Sequence, residues 1–143
     1  MKKVLLVLLG VFLLVGCGKS TTYDLSKVEK GVTSYYPDAE VITLERLGKK
    51  YDVDTSSMEE GLILMPKLAS NADMLFVLKP KEKEKAKKEI DDLFDMFLTQ
   101  YEMYYEEEYQ KLKDKTVKEK DGYLIYIVSN ESDQVLKAIE ENH

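Results

Sequence analysis

Residues 116–128 read TVKEKDGYLIYIV, and this stretch decides the class of fold. Asp121-Gly122 is a strong signal for a two-residue β-hairpin, because the type I′ turn needs positive φ at both central residues. The strand before the turn is rich in lysine, which is typical of an edge strand protected from pairing with another chain. The strand after it, Tyr123 to Val128, is apolar without alternation, which predicts burial on both faces.

A second hairpin is predicted upstream of the first. Leu62 to Met65 and Met74 to Leu78 are short apolar runs bounded by glycine and proline, which favours strands over helices. Residues 70–73 supply the turn between them. The second of these runs also lacks alternation, so both faces of the sheet are expected to be covered.

Helical spacing of apolar residues surrounds these hairpins. One long helix is predicted from Lys81, with Pro80 in its first turn and a stripe running from Ala86 through Tyr105. A closing helix is predicted around Val135, Leu136 and Ile139. Upstream, Asp24 is a plausible N-cap for a helix that Pro37 closes, and Leu44 and Leu47 mark a short helix that ends at Gly48.

The order of elements predicts an α+β fold. It consists of a ββαββα core with a four-stranded, mainly antiparallel sheet and helices packed on it, preceded by two short helices and a signal peptide. We expect the long helix and the last helix to cover one face. The two N-terminal helices, or a second molecule, would cover the other.

The N-terminus has the pattern of a lipoprotein leader. Lys2 and Lys3 precede an apolar run from Val4 to Val15, which as a helix would span about 18 Å and fall short of a bilayer core of roughly 30 Å. Such a run is typical of a signal peptide. Leu14-Val15-Gly16-Cys17 matches a lipobox, in which the Cys17 thiol takes a diacylglyceryl group through a thioether and a peptidase cleaves after Gly16.

This pattern divides the chain into a signal peptide over residues 1–16, a lipidated tether over residues 17–23 and one α+β domain over residues 24–143. Two or three acyl chains hold a small protein firmly on a bilayer. The predicted location is therefore the extracytoplasmic face of the cell membrane. The alternative is an ordinary secretory leader with a chance cysteine at its cleavage site.

Composition excludes several classes of function. The net charge of −6 argues against nucleic acid as a partner. The only cysteine is Cys17 and the only histidine is His143, the last residue, so neither a cysteine or serine nucleophile with a histidine base nor a zinc site is expected. We predict no catalytic residue, no metal and no cofactor apart from the covalent diacylglycerol. A hydrolase that uses carboxylates alone remains the enzymatic alternative.

Two charged regions have ordinary explanations. An acidic cluster consists of Asp52, Asp54, Glu59 and Glu60. It does not match the calcium-loop template, because Ser57 and Ile63 stand where glycine and glutamate are required, and a solvated loop is expected. The lysines of residues 79–88 alternate with glutamates and indicate a soluble helix face. Contact with anionic lipid or wall polymer is the alternative.

Four tyrosines give a weak indication of a binding surface. Tyr101, Tyr104, Tyr105 and Tyr109 crowd the second half of the predicted long helix and cannot all face the core. Exposed tyrosine is favoured at binding surfaces because it adds rigid amphipathic area. The alternative is packing at a helix end with the hydroxyls in water.

Three segments of the chain carry a family resemblance. They are Tyr51 to Asp54, Ala72 to Lys79 and Gly122 to Val128. In these segments the chain resembles a family of small, uncharacterised lipoproteins of low-GC Gram-positive bacteria, catalogued as a domain of unknown function. The resemblance covers about residues 25–139 and supports the location and the fold without implying an activity.

The predicted function is that of a membrane-anchored, non-enzymatic binding or accessory module of the cell surface. Its partners would be the bilayer, through Cys17, and a cell-surface protein or wall polymer. Besides the hydrolase, a homodimer formed through an uncovered sheet face is the remaining alternative.

Overall fold

The structure is a computed structural model that describes residues 22–143, so the predicted leader, Gly16 and Cys17 lie outside the described residues. The helices are α1 (Leu25–Val32), α2 (Leu44–Tyr51), α3 (Lys83–Glu102), α4 (Glu106–Lys113) and α5 (Ser132–Glu140). The strands are β1 (Ala39–Ile42), β2 (Met58–Pro66), β3 (Met74–Pro80), β4 (Thr116–Lys120) and β5 (Tyr123–Val128). The predicted α+β class is confirmed.

The strands form one antiparallel sheet in the order β1-β2-β3-β5-β4. The prediction of four strands is wrong, because β1 adds a fifth at one edge. Its sequence, Ala-Glu-Val-Ile, contains no apolar run, and of its side chains only Ile42 is buried while Val41 is exposed. A strand that places one side chain in the core has too weak a pattern to be recognised from sequence.

Both predicted hairpins are confirmed. β2 and β3 are joined by the loop of residues 67–73, and β4 and β5 by Asp121 and Gly122. Asp121 has φ of 54° and Gly122 has φ of 83°, as the type I′ turn requires. β4 lies at the second edge of the sheet, as its lysines predicted.

Helices of the chain itself cover both faces of the sheet, which explains the apolar runs without alternation. Phe76 and Leu78 of β3 join the core on the face covered by α2, α3 and α4. Leu75 and Val77 join the core on the opposite face, with α1 and α5. Within residues 22–143 no helix is long and apolar enough to span a membrane.

The predicted pairing of α5 with the long helix is wrong, since α5 packs beside α1. The backbone N–H of Asp24 donates to the carbonyl of Asn142 at 3.2 Å. Gly31 permits the close approach, because a Cβ at this position would lie 2.8 Å from Asn142 Nδ2. An apolar stripe shows that a helix is covered but does not show which face of the sheet it covers.

The long helix is also divided, contrary to prediction. α3 ends at Glu102, and the N–H groups of Tyr104 and Tyr105 both donate to the Tyr101 carbonyl, at 3.2 and 2.9 Å. α4 then begins with three glutamates, whose charge is favourable at a helix N-terminus. Its direction brings Leu112 into the core.

Two helix boundaries also differ from prediction. Pro80 is the last residue of β3, not part of the first turn of α3. α2 continues through Gly48 to Tyr51 and ends where Asp52 adopts a left-handed conformation with φ of 57°. Glycine is favoured at this position inside α2, because a Cβ at Gly48 would lie only 3.0 Å from the carbonyl oxygen of Val53.

Candidate functional site

A groove of about 610 Å³ opens at one end of the sheet, and we call it the aromatic groove. Its walls come from the end of α2, the end of β2 with the loop that follows, the start of β3, the last turns of α3 and the break before α4. Its lining includes Lys50, Tyr51, Met65, Lys67, Leu68, Met74, Phe97, Thr99, Gln100, Tyr101, Met103, Tyr104 and Tyr105. The volume lies within the range of small-ligand sites.

Three of the four predicted tyrosines line one wall. Tyr101 is buried, Tyr105 is partly exposed, and Tyr104 is 74% exposed. The ring centroids of Tyr101 and Tyr105 are 5.8 Å apart, and those of Tyr104 and Tyr105 are 6.4 Å apart. The tyrosines therefore form a continuous aromatic wall that runs from the core to the solvent.

The rim of this wall lies at the break between α3 and α4. Tyr101, Tyr104 and Tyr105 are spaced three and four residues apart, so a helix that continued past Glu102 would also keep them on one face. The turn of residues 103–105 ends α3 here and leaves Met103 and Tyr104 exposed, at 72% and 74%. Tyr51 and Phe97 form the floor, with ring centroids 5.4 Å apart in an edge-to-face arrangement.

Tyr109 does not belong to the groove. It lies on α4, partly buried against the core, and Lys113 Nζ lies 5.5 Å from the centroid of its ring. These contacts fit the alternative interpretation of Tyr109, packing at a helix end, better than a role in binding.

Tyr101 anchors the opposite wall. Its hydroxyl donates to the carbonyl of Asn71 at 2.7 Å and so joins α3 to the loop of residues 67–73. Burial, followed by the nearby Glu108 carboxylate, raises the pKa of Tyr101 to about 12. The hydroxyl therefore stays protonated at neutral pH and remains a hydrogen-bond donor.

A partly buried network of ion pairs also holds the loop of residues 67–73 in place. Lys111 Nζ lies 2.8 Å from Asp73 Oδ1 and 3.0 Å from Glu108 Oε2. The same Glu108 oxygen accepts from the backbone N–H of Ala72 at 2.7 Å. Because these bonds connect α4 with the loop, they position the wall that carries Leu68.

The charged side chains that line the groove are both lysines. Lys50 Nζ lies 5.2 Å from the centroid of the Tyr51 ring, a cation–π distance, and Lys67 lies on the loop after β2. Neither lysine forms an ion pair with any residue of the described range. The groove is therefore a positive, apolar site on a protein whose net charge is −6.

Elsewhere several lysines form ion pairs with carboxylates. Lys85 pairs with Asp54 at 3.1 Å, Lys79 with Glu59 at 3.8 Å, and Lys83 with Glu119 at 3.3 Å. The hydrogen bond from Ser56 and the pairing with Lys85 lower the pKa of Asp54 to about 2. No group of His, Cys, Asp and Glu residues within 22–143 is arranged to hold a metal ion.

The fold and the groove define a class of protein. It is a small α+β domain whose single antiparallel sheet is covered on both faces and which carries an aromatic groove at one end. Residues 24–129 match the family model described as "Domain of unknown function (DUF4358)", and the chain belongs to this family. No curated protein and no solved structure matches the chain.

The family match confirms that the chain carries a domain of unknown function. It covers α1 through β5 and stops before α5. The lipoprotein character and the bacterial range that the resemblance implied remain predictions.

Proposed function

We propose that the protein is a non-enzymatic, lipid-anchored binding module that displays its aromatic groove at the outer face of the cell membrane. The observation that carries the proposal is the groove itself, with Leu68, Met103 and Tyr104 exposed around it. Large apolar side chains gathered at one exposed site are typical of binding surfaces.

The lipobox at Cys17 supports the anchor. Tyr23, assigned from sequence to the tether, is buried, and its hydroxyl donates to Asp121 Oδ2 at 2.8 Å. The stretch between Cys17 and Tyr23 spans at most about 20 Å. A chain anchored at Cys17 would therefore keep its folded domain close to the bilayer.

The competing functions gain little from the structure. A carboxylate-dependent hydrolase needs an acid whose pKa is raised in a cleft, whereas the aromatic groove has no carboxylate among its lining residues and the pKa of Asp54 is lowered. The alternative of a homodimer requires an uncovered sheet face. Within the described residues, α1 and α5 cover one face and α2, α3 and α4 the other.

Intact-mass analysis of the protein from its native host tests the anchor. We expect a chain that begins at residue 17 and carries acyl chains on the cysteine, and a Cys17→Ser variant that loses the acyl mass. An unmodified thiol in the wild-type protein, or a complete leader on a soluble chain, would contradict the anchor.

Site-specific photo-crosslinking in the native host tests the binding role. A photoreactive residue is placed at Met103, on the rim of the groove, and at the exposed Lys137 on α5 as the matched control. Adducts are expected at position 103 and not at position 137. Equal labelling at the two positions, or none at 103, would argue against the groove as a binding site.

A further inference from the structure

The charge of the aromatic groove indicates the charge of its ligand. Lys50, at the end of α2, and Lys67, on the loop after β2, both line the groove, and neither forms an ion pair with a described carboxylate. Lys49, the neighbour of Lys50, is by contrast paired with Glu45 at 2.6 Å. Two unmatched cations on an acidic protein favour a ligand that carries negative charge beside an apolar body.

The lining residues also favour a peptide over a sugar polymer as the ligand. Met103 is exposed at the rim of the groove, and Met65 and Met74 are buried beneath it. Such flexible, polarisable side chains are typical of sites that adapt to apolar peptide side chains. Few neutral polar groups face the groove besides the tyrosine hydroxyls, namely Thr99 and Gln100, and the hydroxyl of Tyr101 is already bonded to Asn71. A chain of sugars would leave most of its hydroxyls without partners here.

The groove and the point where the tether enters lie at opposite ends of β5. Met74, at the start of β3, lines the groove and pairs with Val128 of β5. Tyr23, the first described residue that is buried, contacts Asp121 and Tyr123 at the other end of β5. β5 runs from Tyr123 to Val128 and rises about 3.3 Å per residue, so its two ends lie roughly 17 Å apart.

We propose that the aromatic groove binds an acidic, amphipathic peptide segment of a partner protein. Apolar side chains of the segment would fill the space between the tyrosine wall and the methionines, while its carboxylates pair with Lys50 and Lys67. The inference rests on the proposed function and adds the chemical class of the partner.

Peptide selection on the mature chain, residues 17–143 with Cys17→Ser, tests this assignment. A random library of 12-residue peptides is selected on the wild-type protein and counter-selected on a variant with Lys50→Glu and Lys67→Glu. The matched control carries Lys81→Glu and Lys118→Glu, which make the same change of charge at exposed residues outside the groove. Far-UV circular dichroism and urea unfolding establish that each variant is folded.

Enriched peptides are expected to combine Asp or Glu with Leu, Phe or Met at helical spacing. Their affinity should fall by about tenfold or more in the Lys50/Lys67 variant and remain within about twofold in the control. A second groove variant, Leu68→Ser, keeps the charge and should weaken the same peptides through lost apolar contact. Higher salt should weaken binding to the wild-type protein as well.

Other outcomes would overturn the assignment. Enriched peptides without acidic residues, or peptides that bind the charge-reversed groove equally well, remove the role of the lysines. Binding of a purified anionic wall polymer or of phosphatidylglycerol vesicles in the groove, without peptide binding, rejects a peptide partner but leaves the proposed binding function in place. If none of the three probes binds in the groove, the binding function fails with it, whatever the state of Cys17.

Discussion

Replacing Lys111 with methionine should lower the unfolding temperature of the protein by about 8 °C. The ammonium group lies between the carboxylates of Asp73 and Glu108, at 2.8 and 3.0 Å, and its side chain is 13% exposed. Methionine retains most of the apolar length of lysine but removes the charge. Two carboxylates would then remain close together, partly buried and without their cation.

The magnitude follows from the burial of the three groups. Breaking a fully buried ion pair by removing one partner costs about 3–5 kcal/mol. Here Asp73 is 29% exposed and Glu108 is 20% exposed, so water reduces the penalty, and Glu108 keeps the hydrogen bond from Ala72. We therefore expect a loss of about 2 kcal/mol, at about 4 °C per kcal/mol for a domain of this size.

Thermal and urea unfolding followed by circular dichroism measure this loss, with Lys137→Met as the control for removing an exposed lysine. Burial lowers the pKa of Lys111, but the hydrogen bonds to Asp73 and Glu108 outweigh it, so the pKa lies above the ordinary value of 10.5. The difference between wild type and variant should persist at neutral pH and vanish as the pH rises through this raised pKa. A Lys111 variant as stable as the Lys137 variant would refute the network as a support of the loop.

Three further perturbations address other parts of the fold. Gly122→Ala should cost about 1–2 kcal/mol in urea unfolding, because φ is 83° although the space around the residue is open; an unchanged midpoint would show that the turn relaxes. Tyr126→Phe should cost about 1.5–2 kcal/mol through loss of the 2.8 Å hydrogen bond to Asp91, and Tyr104→Phe, at an exposed ring, should cost almost nothing. Burial raises the pKa of Tyr101 to about 12, so its folded site favours the neutral form and stability should fall as the pH rises from about 10 towards 12. The tyrosinate absorbance at 295 nm that is lost in a Tyr101→Phe variant should then appear together with the loss of the circular dichroism signal, and a difference absorbance that rises before unfolding would contradict a protected Tyr101.

Local chemistry made much of the fold predictable. The Asp121-Gly122 turn needs two positive φ values, Asp24 caps α1 through its carboxylate, and the apolar runs in β3 and β5 require cover on both faces. Each of these signals is contained within a few neighbouring residues. The fifth strand escaped prediction because β1 buries only Ile42, and its place at the edge of the sheet depends on β2.

The candidate site was only partly visible in the sequence. Four tyrosines in one stretch drew attention to the wall of the groove, and three of them line it. Lys50 and Lys67 gave no such signal, because they belong to α2 and to the loop after β2 and line the same groove only after the chain has folded. The same is true of Leu68 and the three methionines.

By itself, the sequence determined the antiparallel hairpins, the positions of most helices and the demand for two covered faces, because turn geometry and apolar spacing act between near neighbours. Tertiary structure alone decided that α5 packs with α1, that the long helix breaks at Met103 and that a positive aromatic groove forms far from Tyr23. These features arise from contacts between distant segments, which compete for the same core and are settled only when all of them pack together.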